Sequence, residues 1–335
     1  MNRREFLTLG AACAVAGGCT TGKAAKEGRP CAAFDAAVDK IDATTLFDEE
    51  ARKAALSEIQ KEIRAMGRKE PYFEFVRGGL KLSDAEVAAA HEAYPPLKWY
   101  DHAFDKVLRE FKDAKVEGDS PAVWYVYNMG VVVKTAECAF SIDLCHRKAA
   151  LLAPLLDFAL ITHNHEDHYT REFVSAMSRN KKPVRSNFLL TWDHYCRELE
   201  SEKTYRNVRV VCTAADHNQH LPKAITCFEC HIPKTDGDEF VIFHSGDCCR
   251  ADHLKPSVKS PDLYFGHCAI GLNFKTAWQT TMPAKLMLPV HHQELGHLGG
   301  PWRCVAFNEE PRHIINALRP LGANVAMPVW GDRIV

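Results

Sequence analysis

The body of this chain lacks an apolar run long enough to cross a bilayer, so no membrane-spanning helix is expected there. It also lacks a long basic stretch. With 42 Lys and Arg against 43 Asp and Glu, the net charge is -1. A nucleic-acid surface needs clustered positive charge and is not expected. No segment repeats at the period of about 20 to 50 residues that marks solenoids and propellers. Cysteine is plentiful, at thirteen, but the arrangement a zinc knuckle requires is missing. Cys227 and Cys230 form one C-x-x-C, and no second pair stands at suitable spacing. The alternation of Ile225, Cys227 and Glu229 places that pair on a strand instead. Setting aside Cys13 and Cys19 in the N-terminal segment leaves eleven cysteines, an odd number that excludes full internal pairing.

What is there begins with the stretch MNRREFLTLGAACAVAGGC. A charged start, a short apolar middle and small residues at the end make an export signal over residues 1–19. Arg3-Arg4-x-Phe6-Leu7 resembles a twin-arginine signal, read by a translocase that exports folded proteins. Ala16-Gly17-Gly18-Cys19 resembles a loose lipoprotein box with Cys19 as the lipid carrier. The expectation is an exported protein, periplasmic or anchored through that lipid. The export machinery is an expected partner, and the membrane is met only through the lipid.

The 335 residues are 46% hydrophobic and 25% charged, which suits a soluble globular core of one large domain with extensions, or two domains. Residues 20–45 are small, charged and aperiodic and read as a tether. Residues 46–117 read as a helical extension. Leu56, Ile59, Ile63 and Met66 are spaced as one helix face. Ser83 and Glu86 form a capping box that opens a second helix, which Pro95 and Pro96 end. Phe104, Val107, Leu108 and Phe111 line a third helix from Asp101 to Lys112. This segment carries no chemical signature, so its expected role is to cover or cap the C-terminal two-thirds of the chain. From residue 118 to 335 the pattern changes. Three short strands run from Ala122 to Leu144, with a turn at Asn128-Met129-Gly130. Strands are then expected at 156–162, 186–191, 208–212, 225–230, 239–244, 262–265, 286–290 and 324–329, and helices at 170–177, 275–283 and 310–318. Alternating strands and helices argue α/β layers.

At the end of the 156–162 run stands His163-x-His165-x-Asp167-His168. A strand end is a rigid base for a ligand loop, neutral imidazoles suit zinc and iron, and a carboxylate adds charge. Four donors in six residues crowd one ion, and alternation lets His163 and His165 face one way while Asp167 and His168 serve a second ion. The competing reading is a solvated turn rich in histidine.

This motif resembles the central H-x-H-x-D-H of the metallo-β-lactamase fold superfamily, and the downstream order agrees. Asp143 in SIDL matches the family's structural aspartate, Asp247 in FHSGD its metal-bridging aspartate, and His291 in LMLPVHH its last metal histidine. The resemblance covers residues 122 to about 330. It implies an αβ/βα four-layer sandwich, with two mixed β-sheets flanked by helices, carrying the N-terminal helical extension. It also implies a histidine between the central motif and Asp247. Of His194, His217, His220 and His231, the chosen candidate is His231, because it ends one strand and a short turn separates it from the next. His217 and His220 lie in a polar loop. His163, His165 and His231 would then hold one ion, Asp167, His168 and His291 the other, and Asp247 would bridge them. His292 is the alternative to His291, and Glu166 has no ligand role. Diiron electron-transfer relatives carry Glu where His165 stands, which disfavours that reading.

The implied cofactor is two divalent ions, zinc first, with manganese or iron as the other options, and the implied partner is a small-molecule substrate. Two ions lower the pKa of a shared water, and Asp167 is the catalytic residue that orients it. Tyr169, His220, His267 and His292 are candidates for leaving-group or oxyanion contacts, or else for pocket walls and partners of the ligands. Cys248 and Cys249 read as buried small hydrophobes before thiolate ligands. The segment MPAKLMLPVHH resembles the lactonase and phosphodiesterase branch, by analogy of reaction class only. The expected function is a hydrolase of an ester, lactone or phosphodiester. The alternatives are a one-iron oxidoreductase similar to persulfide dioxygenases, and an exported metal-binding protein without turnover.

Overall fold

The computed structural model describes residues 32–189, 201–269, 271–281, 283–301 and 303–335. The export signal, Cys19 and His194 lie outside them. Among the described residues the first five helices are α1 (Ala32–Asp42), α2 (Glu49–Met66), α3 (Glu70–Gly78), α4 (Asp84–Ala93) and α5 (Pro95–Asp113). In α2 the predicted face is buried, with Leu56, Ile59, Ile63 and Met66 inside. Gly67 at φ 68 ends it in the left-handed conformation that lacks a Cβ penalty. Ser83 and Glu86 make both bonds of the capping box at the start of α4. Pro95 and Pro96 end α4 as expected but also open α5, because the first helical turn has no use for the amide hydrogens that proline lacks. The tether expected over residues 20–45 is helical in its second half. Phe34, Ala37, Val38 and Ile41 are buried along α1, a helical spacing disguised by its small residues.

Among the described residues eleven strands form two mixed sheets, the expected α/β arrangement. The first contains β1 (Ala122–Tyr125), β2 (Val131–Lys134), β3 (Ala139–Ile142), β4 (Phe158–Ile161) and β5 (Val184–Ser186), in that order. The second is ordered β11 (Leu286–Val290), β10 (Leu263–His267), β9 (Glu239–His244), β8 (Ile225–Pro233), β7 (Val208–Ala215) and β6 (Ser201–Tyr205). The other α-helices among the described residues are α6 (Arg171–Arg179), the short α7 (Phe274–Thr276) and α8 (Glu310–Leu318). The helix expected over 275–283 is reduced to α7 and one wider turn. The strand expected at 324–329 does not form. That segment makes only an isolated parallel bridge, Met287 to Val325.

The helical extension shares one hydrophobic core with the sheets, continuous from Phe34 to Ile334. Trp99 of α5 stacks on Trp330 at 4.2 Å. Arg52 of α2 forms a two-pronged bond to Asp332, both lengths 2.7 Å. The indole N–H of Trp124 in β1 donates to Glu110 at 2.9 Å. The extension therefore covers the first sheet, burying apolar surface that would otherwise face water.

Candidate metal centre

Strand direction decides which residues can meet. In the first sheet β1, β3 and β4 run one way, with β2 reversed. In the second, β7, β9, β10 and β11 share a direction, with β8 reversed. The C-terminal ends of the co-directed strands deliver Asn128, Asp143, His163, His217, Asp247, His267 and His291. Three of these residues hold a left-handed backbone without being glycine: Asn128 at φ 56, Asp143 at φ 47 and His291 at φ 67. Such positions cost on the order of 1–3 kcal/mol each and persist only where the surroundings enforce them. Gly246 at φ 50 sits so close to Thr162 that an added Cβ would lie 2.8 Å from the Thr162 Cβ. Only glycine lets the turn before Asp247 press against the end of β4.

Two donor groups share Asp247. The first is His163, His165, His217 and Asp247, and the second is Asp167, His168, Asp247 and His291, each with its donor atoms within 4.8 Å of one another. In the first, His163 Nε2 and His165 Nδ1 face each other at 2.9 Å, and His217 Nε2 lies 3.6 Å from Asp247 Oδ2. Thr162 Oγ1, 3.0 Å from His163 Nδ1, sets that ring. In the second, Asp143 fixes His168. Its carboxylate accepts from His168 Nδ1 at 2.8 Å, from the Thr162 amide at 2.8 Å and from the Thr162 hydroxyl at 2.7 Å. His168 Nε2 is thereby turned to Asp247 Oδ1 at 3.2 Å, yet neither atom makes a hydrogen bond although both are buried. His291 Nε2 lies 3.2 Å from Asp167 Oδ2. Convergent buried atoms left without hydrogen bonds, on imidazoles and carboxylates, are what divalent ions of the zinc or iron kind require.

The charges agree. Burial opposes ionisation of Asp247, but His168, His267, His291 and His163 outweigh it and hold its pKa well below the ordinary carboxylate value. Asp167 is likewise lowered against burial, chiefly by His168 and His291. Burial lowers His163, His165 and His217, keeping lone pairs free. His168 is raised against burial by Asp247, Asp167 and Asp143. His291 is pushed up to about 9 against burial, by Asp247 first and then Asp167. Ions arriving at the second group therefore displace protons.

The structure brings together His163, His165, Asp167, His168, Asp247 and His291, but not His231. His231 sits near the far end of β8, opposite Val241 at the start of β9. Its Nδ1 lies 2.5 Å from Glu239 and its Nε2 3.0 Å from Glu229, so both ring nitrogens are taken by carboxylates. The reason is topological. β8 starts at the site, where the Thr226 amide donates to the Thr162 carbonyl at 2.9 Å, and runs away from it. His217, after β7, takes the place expected of His231. The signal was the short link Lys234–Asp238 with its Asp-Gly turn. A link that short makes β8 and β9 a hairpin, so their C-terminal ends lie at opposite edges.

The remaining candidates fall at different distances from the centre. His267 Nδ1 accepts from the Ala269 amide at 3.1 Å, leaving Nε2, 3.5 Å from Asp247 Oδ2, to carry the hydrogen. Burial lowers its pKa to about 4. His292 is fully buried, faces Tyr125 and is lowered to about 3 by burial, so His291 is the one that joins the donors. His220 is exposed beside Gln219. The Tyr169 hydroxyl donates to Asn164 at 2.8 Å and its ring packs on Phe188. Glu166 is exposed. Cys248 is buried, and its thiol donates to the Arg250 carbonyl at 3.3 Å. Neither it nor Cys249 belongs to a donor group. Asn128 carries no signal of a role at the centre in the sequence beyond its turn. Its side-chain amide donates to Asp167 Oδ2 at 3.0 Å, and its carbonyl accepts from the His291 amide at 3.1 Å.

No family model and no curated protein matches the sequence. Among solved structures the chain is similar to Igni18, a metallo hydrolase from the archaeon Ignicoccus hospitalis, at 14% identity over 64% of this chain and 97% of that chain, TM-score 0.46. It is similar to the metallo-β-lactamase fold protein YhfI from Bacillus subtilis at 13% identity, over 62% and 97% of the two chains, TM-score 0.41. It is also similar to CmlA, a diiron β-hydroxylase from Streptomyces venezuelae, at 12% identity over 76% and 60%, TM-score 0.42. These likenesses carry no chemistry to this chain, whose reading rests on its own residues.

Proposed function

We propose that this protein is a metal-dependent hydrolase acting on an ester, lactone or phosphodiester. The observation that supports it is the pair of donor groups sharing the buried Asp247. Two divalent ions, zinc before manganese or iron, would supply Lewis acidity there and bring the pKa of a bound water towards neutrality. His163, His165, His217 and Asp247 would hold one, and Asp167, His168, His291 and Asp247 the other.

The chain's own residues then divide the work. Asp167 is the more open of the two carboxylates, its side chain 15% exposed against 4% for Asp247. Its lowered pKa keeps it an acceptor at neutral pH. It orients the attacking water by accepting a hydrogen bond from it. Asn128 holds Oδ2 of Asp167 while this happens. His267, uncharged at neutral pH, steadies Asp247 through Nε2 and is not the proton source. Export through a twin-arginine signal, carried by Arg3 and Arg4, belongs to the same proposal.

The test is metal analysis of the purified full chain, followed by turnover of nitrophenyl phosphodiesters, phosphonates and lactones. Two ions per chain and a turnover abolished in Asp247→Ala are expected. One iron per chain overturns the hydrolase reading in favour of the one-iron oxidoreductase. Two ions with no turnover across the panel leave a binding protein.

A further inference from the structure

Behind His291 lies a group that the two-ion scheme does not use. One nitrogen each of His291 and His297 and one oxygen of Glu294 lie within 4.8 Å of one another. Glu294 is almost wholly buried, its side chain 2% exposed, and pairs with the His297 ring. Its Oε1 has no hydrogen-bond partner. A Cβ on Gly296 would collide with that same oxygen, so the glycine leaves room for the carboxylate. His291 spends Nε2 on the Asp167 side, and its Nδ1 is buried without a partner. The loop is pinned at three points. The His291 amide bonds to the Asn128 carbonyl at 3.1 Å, the Gln293 amide to the Val305 carbonyl at 2.6 Å, and the Leu295 amide to the Tyr127 hydroxyl at 2.9 Å.

A metal-bound imidazole binds through one nitrogen and donates the hydrogen on the other, most often to a carboxylate or carbonyl. A third ion here would have only Glu294 and His297 to itself, since His291 already serves the second group. We propose that Glu294 and His297 are positioning residues for His291: Glu294 accepts the Nδ1 hydrogen, His297 braces the carboxylate from its other side, and the pair sets how tightly the second ion is held. The proposal rests on the two-ion reading above. His291 Nδ1 and Glu294 Oε1 are both buried without a partner, and the proposed bond joins these two atoms.

The test is titration of the metal-stripped full chain with Co2+ against a chromophoric chelator, following the visible d–d absorption of each ion. Glu294→Gln should keep the first ion and weaken the second by about 10- to 100-fold, with a changed second-ion spectrum. Glu294→Asp should recover part of the loss. His297→Gln, at a side chain 27% exposed, should fold like the wild type and show a smaller loss, which guards against misfolding of Glu294→Gln. Equal affinity for both ions in wild type, Glu294→Gln and His297→Gln overturns the positioning role and leaves the hydrolase reading intact. A third Co2+ bound by the wild type and lost in Glu294→Gln also overturns it, in favour of an outer metal site. A wild type that binds fewer than two ions overturns both.

Discussion

The side-chain amide of Asn128 donates to Asp167 Oδ2 at 3.0 Å and to the Asp167 carbonyl at 3.1 Å. Asn128 belongs to the turn after β1 and Asp167 to the loop after β4, so this one side chain ties two loops of the centre together. Through its carbonyl it also receives the His291 amide. Asn128→Gly should separate these roles. Glycine adopts φ 56 without strain and keeps the carbonyl, but it frees the Asp167 carboxylate. The expected result is a second-ion affinity lower by roughly tenfold, with thermal stability close to wild type. Metal competition and a melting curve check this together. A collapse of the melt without selective ion loss would show that the amide serves folding alone.

The exchange of His231 for His217 gives the second prediction. His217→Ala should lower metal content at the first group and remove turnover, because it deletes one donor from a set of four. His231→Ala should leave two ions in place, since both of its nitrogens are already spent on Glu229 and Glu239. Metal analysis of the two variants decides it, and loss of an ion in His231→Ala alone would restore His231 as the ligand.

This exchange also shows how far sequence can be read. His163, His165, Asp167 and His168 were legible because six consecutive residues hold them, and Asp247 and His291 because each follows an apolar strand in the order that the resemblance of the central motif implies. His217 was not, since its membership depends on the direction of β7 relative to β9, a property of pairing across the sheet. Asn128 escaped for a similar reason: an asparagine two residues before a glycine reads locally as a turn residue, and its bond to Asp167 spans 39 positions. Helix α1 was lost among alanines, whose burial depends on what packs over them.

The docking of the helical extension makes a third prediction. Arg52 and Asp332 are 2% and 4% exposed, and the guanidinium also donates to the Thr44 carbonyl at 2.7 Å. Removing one partner of a buried pair strands the other. Arg52→Ala should therefore cost about 3–5 kcal/mol, read as a fall in the urea midpoint. A loss below about 1 kcal/mol, the range of exposed ion pairs, would mean that water reaches Asp332.

The cluster at the far end of β8 supplies a pH dependence. His231 is opposed by burial, but hydrogen bonds to Glu229 and Glu239 outweigh it and raise its pKa above the ordinary value. Arg209, 3.1 Å from Glu239, and Ser257, whose hydroxyl donates to Glu229 at 2.8 Å, complete the surroundings. A group whose folded pKa is raised stabilises the fold fully below its unfolded value, about 6.5 for histidine. That contribution is lost as pH climbs through the folded value. The melting temperature of the wild type should therefore exceed that of His231→Gln by most near pH 6, and the gap should narrow steadily towards pH 9. His231 stands away from both donor groups, so metal content should stay constant across the series and separate this effect from ion loss. A gap independent of pH would mean that the His231 cluster takes up no extra proton on folding.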